Sequence, residues 1–224
     1  MRTIAATFLS LVFIAASATA GAATWEEGKH YVLIPLAHPV ASNGGKVQVV
    51  EVFSYACPAC NMFHTIANRL RAELPKNAEL NFVAAGFRAD EDWPMFQRAF
   101  YTAQVLGIDK KTHDAIFDAV WKTGELATVD PRNGQIRQQL PTIEDAARVY
   151  AKVAGINADT FVTTAKSFGV DFKVRQAEDY IHTHRVDHTP TIIVADRYQT
   201  DANSAGGYDQ LIELVKWLIA REGH

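Results

Sequence analysis

Two cysteines, and no others, stand three positions apart in Cys57-Pro58-Ala59-Cys60, with a strand-like run entering the motif and a helix-like run leaving it. Upstream, Val47-Gln48-Val49-Val50-Glu51-Val52-Phe53 is rich in β-branched and aromatic residues, which favour an extended strand. Downstream, Cys60, Phe63, Ala67, Leu70 and Leu74 recur at three- and four-residue steps, as one buried face of a helix does. Pro58 suits the first turn of that helix, where its missing N–H had no partner to lose. A chain that delivers both thiols at a strand–helix junction is committed to an α/β arrangement there.

The placement also sets the chemistry. Unpaired N–H groups and the dipole at a helix N-terminus favour negative charge, so Cys57 is expected to ionise more readily than a free thiol. Cys60, one turn later on the apolar face, is expected to be buried and to act as the resolving partner. Thiol–disulfide exchange needs both, one sulfur open to attack and a second placed to release the mixed disulfide. Two rivals compete. Cys-x-x-Cys is half of many zinc sites, and His184-x-x-x-His188 has a finger's ligand spacing, but over a hundred residues separate the halves. A purely structural bridge here would close too short a loop to constrain the unfolded chain much. The redox pair is the better account.

Residues 1–23 have the three parts of a secretory signal: Arg2, an apolar run from Ile4 to Ala16, and small residues around Ala18-Thr19-Ala20 and Ala20-Gly21-Ala22. The apolar run is shorter than the ~20 residues that span a bilayer, so a cleaved signal is expected rather than an anchor. Export implies an oxidising compartment, where a chain of this size with structural bridges would show additional cysteines. One pair and no other suits a protein that handles other proteins' disulfides without scrambling its own. The chain carries a net charge of −3, or −4 once Arg2 is removed, with 21 basic against 25 acidic residues. No basic patch points to nucleic acid. At 48% hydrophobic, the chain can bury one good core or a core plus a subdomain.

In chain order, Tyr31-Val32-Leu33-Ile34 reads as a short edge strand, Asn43-Gly44-Gly45 as a turn, and Asn81 to Ala85 as the strand that completes a strand–helix–strand unit. Such a unit makes a right-handed crossover between parallel strands. The spacing then predicts helices over Pro94–Leu106, Ala115–Trp121, a segment beginning at Pro141-Thr142, Asp159–Phe168 and Phe172–His184, with Gly169 as the break between the last two. Gly124 to Pro141, polar and carrying Asp130-Pro131 and Asn133-Gly134, reads as an exposed loop. Strand pattern returns at Thr191-Ile192-Ile193-Val194 and Tyr198-Gln199-Thr200, followed by an amphipathic helix from Tyr208 to Leu218. The expected division is a cleaved segment 1–23, an α/β domain in two parts, 24–88 and 186–224, and a helical insertion, 89–185.

Cys57-Pro58-Ala59-Cys60 after Glu51-Val52-Phe53-Ser54-Tyr55, with Thr189-Pro190-Thr191 before a late strand, resembles the thioredoxin superfamily. The signal segment and the helices inserted after the first strand–helix–strand unit make the chain similar to the DsbA branch, the periplasmic thiol:disulfide interchange proteins. The resemblance covers essentially the whole mature chain. It implies a thioredoxin-like α/β fold with an inserted all-helical subdomain, and an oxidoreductase that needs no metal or organic cofactor. Cys57 corresponds to the exposed catalytic cysteine, Cys60 to the buried one and Pro190 to the cis-proline facing the disulfide, with Thr189 offering backbone groups to an extended substrate. Without the family, Pro190 reads as a strand-start proline. Glu51 corresponds to an acidic residue of the active-site strand; by itself it reads as a solvent-facing strand position, since carboxylates are rarely buried without a partner. Buried near the pair, it would accept protons or alter the thiol pKa.

One departure matters. Many relatives carry histidine as the second residue between the cysteines, where this chain has Ala59, which can neither charge nor hydrogen-bond a thiolate. A strongly acidic cysteine, pKa about 3.5, is the documented reference for this family, against about 7 for thioredoxin. Cys57 is therefore expected to be less acidic than in the His-containing relatives, and the protein a weaker oxidant. His64, one turn past Cys60, reads as a partly exposed helix residue rather than a substitute. The resemblance implies reduced or unfolded exported proteins as substrates and a quinone-linked DsbB-type membrane protein for reoxidation; a monomer is expected. The alternatives are a reductase or isomerase using the same pair in the other direction, and a non-enzymatic chaperone or zinc module. Dimeric isomerases of the superfamily carry an N-terminal dimerisation domain, for which the two dozen mature residues before the active-site strand leave no room.

Overall fold

The computed structural model describes residues 24–35, 45–130 and 132–222; the expected signal segment and most of the Asn43-Gly44-Gly45 turn lie outside them. A five-stranded sheet runs in the order β1-β5-β4-β2-β3, with β1 at Val32–Leu33, β2 at Val47–Phe53, β3 at Ala78–Ala84, β4 at Thr191–Val194 and β5 at Tyr198–Thr200. β2 and β3 are parallel, joined by the crossover helix α1 (Pro58–Glu73), while β4 pairs antiparallel with both β2 and β5. β1 is an edge strand, as its length and composition imply, pairing with β5. β3 begins three residues earlier than its apolar pattern suggests: Ala78-Glu79-Leu80 pair with Val47-Gln48-Val49, and the charged Glu79 disguises that stretch.

Alternation along β2 divides the core. Val49 packs with α1 residues Phe63, Ala67 and Leu70 and with the final helix α8 (Tyr208–Glu222). Phe53, two pairs of positions further, joins Cys57 and Cys60 in the core shared with the inserted helices. Val50 and Val52 point to the opposite face, where they cluster with their β4 neighbour Ile193 and with Ile181 and Val186. Glu51 therefore projects to the α1 side and is buried.

Between β3 and β4 the chain is helical: α2 (Trp93–Val105), α3 (Asp109–Trp121), α4 (Ile143–Ala154), α5 (Ala158–Ala165) and α6 (Phe168–Thr183). Thr142 and Asp145 form a reciprocal capping box at the start of α4, and Gly155 ends that helix at a left-handed φ of 75°. The break between α5 and α6 falls at Lys166-Ser167, not at Gly169. Ser167 caps α6 by accepting the Val170 N–H, and that places Gly169 inside the first turn. The 124–141 segment is not simply exposed. Leu126, Ala127 and Thr128 are buried, the Thr128 hydroxyl donates to Asp92 Oδ2 at 2.6 Å, and Val129 bridges Ile136. A short helix absent from the sequence reading, α7 (Ala202–Ala205), precedes α8 and is capped by Asp201.

Candidate active site

The site is assembled where β2 ends and α1 begins. Cys57 is the N-cap of α1 and Pro58 occupies its first turn. The turn before it is fixed from several directions: Cys57 N–H donates to Ser54 O, Ala56 N–H to Ser54 Oγ, and Trp121 Nε1 to Tyr55 O at 2.8 Å. Thr189-Pro190, a cis peptide, lies across from the motif because β4 is the antiparallel neighbour of β2. Cys57 Sγ is 3.5 Å from Thr189 O.

The two sulfurs are inequivalent. Cys57 keeps 5% of its surface accessible and Cys60 none, so the expected exposed and buried cysteines differ less in exposure than the family resemblance implies; the Thr189 carbonyl lies against Cys57 Sγ. The Cys57 pKa is lowered from 9.0 to about 6. The largest cause is the hydrogen bond from the Cys60 thiol; burial opposes it, and the Thr189 side chain and the N–H groups of Cys60 and Ala59 reinforce it. The helix terminus contributes as expected, yet the partner sulfur contributes more. Cys60 is pushed well up, first by burial and then by the hydrogen bond to, and the charge of, Cys57. One thiol is thus held as thiolate near neutral pH and the other as thiol.

Glu51 is 2% exposed, not solvent-facing. Burial raises its carboxyl to about 8, the Arg71 cation working against this and the Cys57 charge with it. Its Oε2 has no hydrogen-bond partner among the described residues. The carboxyl therefore keeps its proton near neutrality and is electrostatically coupled to both sulfurs. Cys57, Cys60, Glu51, Thr189 and Pro190 therefore converge; Pro58 is exposed and Ala59 half-buried between the sulfurs. His64 stands apart, its Nδ1 at 2.9 Å from Asn61 O and its ring stacked on Phe117.

The comparisons agree with this geometry. The Thioredoxin family model matches residues 42–214. The thiol:disulfide interchange protein DsbA of Pseudomonas syringae pv. tomato is 32% identical over 197 residues, covering 88% of this chain and 84% of the relative. The chain belongs to the DsbA family. The DsbA of Azotobacter vinelandii is 31% identical, with 87% of this chain and 83% of that one aligned. Among solved structures, a variant of Pseudomonas aeruginosa DsbA superimposes with a TM-score of 0.75 at 28% identity, covering 89% of this chain and 98% of its own. The oxidoreductase DsbA of Xylella fastidiosa does so with a TM-score of 0.73 at 30% identity, covering 86% and 95%. As a DsbA-type thiol:disulfide oxidoreductase, the chain has the thioredoxin-like sheet and helical insertion of that family.

Sequence reasoning missed several groups that support the site. Arg71 lies on α1 and is the cation opposing Glu51's raised pKa, but an arginine near a helix end carries no such signal. Tyr55 Oη and His113 Nδ1 are 3.0 Å apart in the core, joining the active-site turn to α3 across 58 residues. His184, weighed above as a zinc ligand, is buried against the ring of Tyr180 (3.8 Å between centroids). Its Nε2 is 3.0 Å from Asp196 Oδ1, off the axis of a hydrogen bond. Among the described residues no group of three or more His, Cys, Asp or Glu is placed to hold a metal.

Proposed function

We propose that the protein is a dithiol oxidase that donates the Cys57–Cys60 disulfide to reduced exported proteins. The observation that carries this is the split between the two sulfurs, with Cys57 acidic at about 6 and Cys60 well above an ordinary thiol. A client thiolate attacks Cys57 Sγ, the Cys57–Cys60 bond breaks, and Cys60 departs with the electron pair. Cys60 favours the thiol form, and Glu51, still protonated near neutral pH, supplies the proton. A second client thiolate then attacks the client sulfur of the mixed disulfide. Cys57 leaves as a stabilised thiolate, the client holds the new disulfide, and Glu51 regains a proton from solvent.

Direction follows from linkage. Whatever stabilises the Cys57 thiolate stabilises the reduced protein, since the disulfide form has nothing to ionise, and so drives oxidation of the client. At pH 7 a thiol of pKa about 6 contributes about 1.4 kcal/mol, or about 30 mV of oxidising potential. Thr189 and cis-Pro190 form the rim against which an extended client segment lies. Exposed Met62 and Tyr208, the latter beside Phe63, offer apolar contacts near α1. No described helix is long and apolar enough to cross a membrane. Periplasmic location after signal cleavage, and reoxidation by a quinone-linked DsbB-type membrane protein, complete the proposed cycle. Equilibration with glutathione tests it: the expected potential is clearly above the ~−270 mV of thioredoxin, and a value at or below that makes the protein a reductant.

A further inference from the structure

β3 is the outer strand of the sheet, and its free edge is only partly covered. In a parallel pair, alternate residues direct both backbone groups at the neighbouring strand. Val47 N–H donates to Asn77 O and Ala85 N–H to Phe53 O. Asn77, Glu79, Asn81, Val83 and Ala85 therefore face β2, while Ala78, Leu80, Phe82 and Ala84 direct their groups outward. At the ends those outward groups are taken. Ala78 N–H donates to Pro75 O at 2.9 Å. Ala84 N–H donates to Tyr101 Oη and its carbonyl accepts from Gln97 Nε2, both at 3.0 Å. Leu80 and Phe82, between them, have no such partner among the described residues.

Beside this open stretch is a cavity of about 590 Å³, whose lining includes Leu80, Phe82 and Phe100 together with Arg71, Lys110 and His113. Unpaired ladder groups at the edge of a sheet are a template for another strand, and native proteins usually hide them. Here they open into a groove. Residues of α2 (Phe100, Gln104) and of α3 (Asp109, Lys110, His113, Asp114) line that groove beside the strand, an arrangement that suits a single extended segment. The charges refine the choice. Glu79 is held by Lys46 at 3.8 Å, and Asp114 accepts from Asn68. Arg71, Lys76 and Lys110 have no carboxylate within 4.0 Å among the described residues; among the lining carboxylates Asp109 and Asp114 are similarly without a cation, which leaves three cations against two acids. The uncommitted charge is net positive.

We propose that the β3 edge between Leu80 and Phe82 is a second binding site, which takes an extended peptide segment bearing a carboxylate by strand addition. Main-chain hydrogen bonds supply the affinity and Arg71 and Lys110 receive the acid. The floor of the groove is connected to the redox turn, since His113 lies 4.4 Å from the Phe82 ring and holds Tyr55, two residues before Cys57.

The test is an amide NMR titration of the full mature chain with the cysteine-free peptide acetyl-Thr-Val-Glu-Val-Thr-amide. Leu80, Phe82 and His113 resonances should shift. The same peptide N-methylated at both valines, with charge unchanged and strand donors removed, should bind at least about tenfold more weakly. Leu80→Pro removes the outward N–H and leaves the β2 ladder intact, a substitution edge strands tolerate. It should weaken the parent peptide by a similar factor without loss of thiol exchange. If that variant fails to fold, the N-methyl comparison on the parent protein decides. Equal binding of both peptides, shifts confined to Thr189 and its neighbours, no shifts at millimolar peptide, or the same resonances responding to benzoate but not to the peptide would each overturn the proposal.

Discussion

Replacing Glu51 with glutamine should make the protein more stable, and increasingly so as pH rises. The carboxyl is buried and holds its proton to about 8, where an unfolded chain releases it near 4.5. A carboxyl whose folded pKa is raised contributes its full stability below the unfolded value and loses it as pH climbs to the folded one. At pH 7 the native state has forgone about 3 kcal/mol relative to a group that cannot ionise. Glutamine is nearly isosteric and never charges, so Glu51→Gln should be more stable by about that amount at pH 7, but by less than about 1 kcal/mol at pH 5. Urea unfolding of both proteins under reducing conditions at the two pH values measures the difference. The Cys57 contribution is common to both proteins and cancels to first order. The variant should also lose the proton donor for Cys60, and so form and resolve mixed disulfides more slowly. A stability difference that stays constant between pH 5 and pH 7 would show that Glu51 titrates like a surface carboxylate, and the proton-donor role would fall with it.

Three further outcomes follow from the same geometry. Iodoacetamide labelling of the reduced protein should titrate with a midpoint near the Cys57 value of about 6, and Cys60 should stay unlabelled until the chain unfolds; a midpoint above 8 would remove the basis for oxidase direction. Ala59→His adds a group able to stabilise the thiolate, so it should lower the Cys57 midpoint and raise the potential by about 30 mV for each 1.4 kcal/mol gained, measured against glutathione. Tyr55→Phe breaks the 3.0 Å contact with His113 in a buried setting, and should cost about 1–3 kcal/mol by urea melt, with little effect on the Cys57 midpoint.

Much of this was legible because the informative residues are local. The strand into Cys57, the apolar face of α1 and the Thr189-Pro190 pair before β4 carry their signal in consecutive residues, and period 2 or 3.6 is readable from them directly. Glu51 was not legible from its neighbours, because burying a carboxylate is unfavourable and only the tertiary arrangement reveals that α1 covers it. Ser167, not Gly169, divides α5 from α6, since a cap hydrogen bond outweighs a glycine's modest helix penalty. Leu126 to Thr128 hid in a polar stretch because three buried residues are too few to set a period, and their anchor, Asp92, is 36 residues away from Thr128.

The division of labour between the sulfurs is a product of topology more than of the motif. A strand followed by a helix places Cys57 at the cap and Cys60 one turn inside for any Cys-x-x-Cys, which accounts for the backbone N–H contributions. The antiparallel return of β4 beside β2 then brings Thr189 to within 3.5 Å of Cys57 Sγ, which no feature of residues 47–74 requires. Alternation along β2 puts Glu51 on the α1 side with Val49 and Phe53, so a one-residue slip of register would send the carboxyl to the opposite face, beside Val50 and Val52. Sheet register and acid–base chemistry are therefore a single constraint here. Moving the carboxylate one position along the strand, as in the double variant Glu51→Val with Val50→Glu, should leave a thiol pair whose Cys57 is still acidic but whose Cys60 has no proton source. Attack on the disulfide should then slow at neutral pH while the labelling midpoint of Cys57 moves little. Unchanged kinetics in a folded double variant would mean that solvent, and not Glu51, supplies the proton.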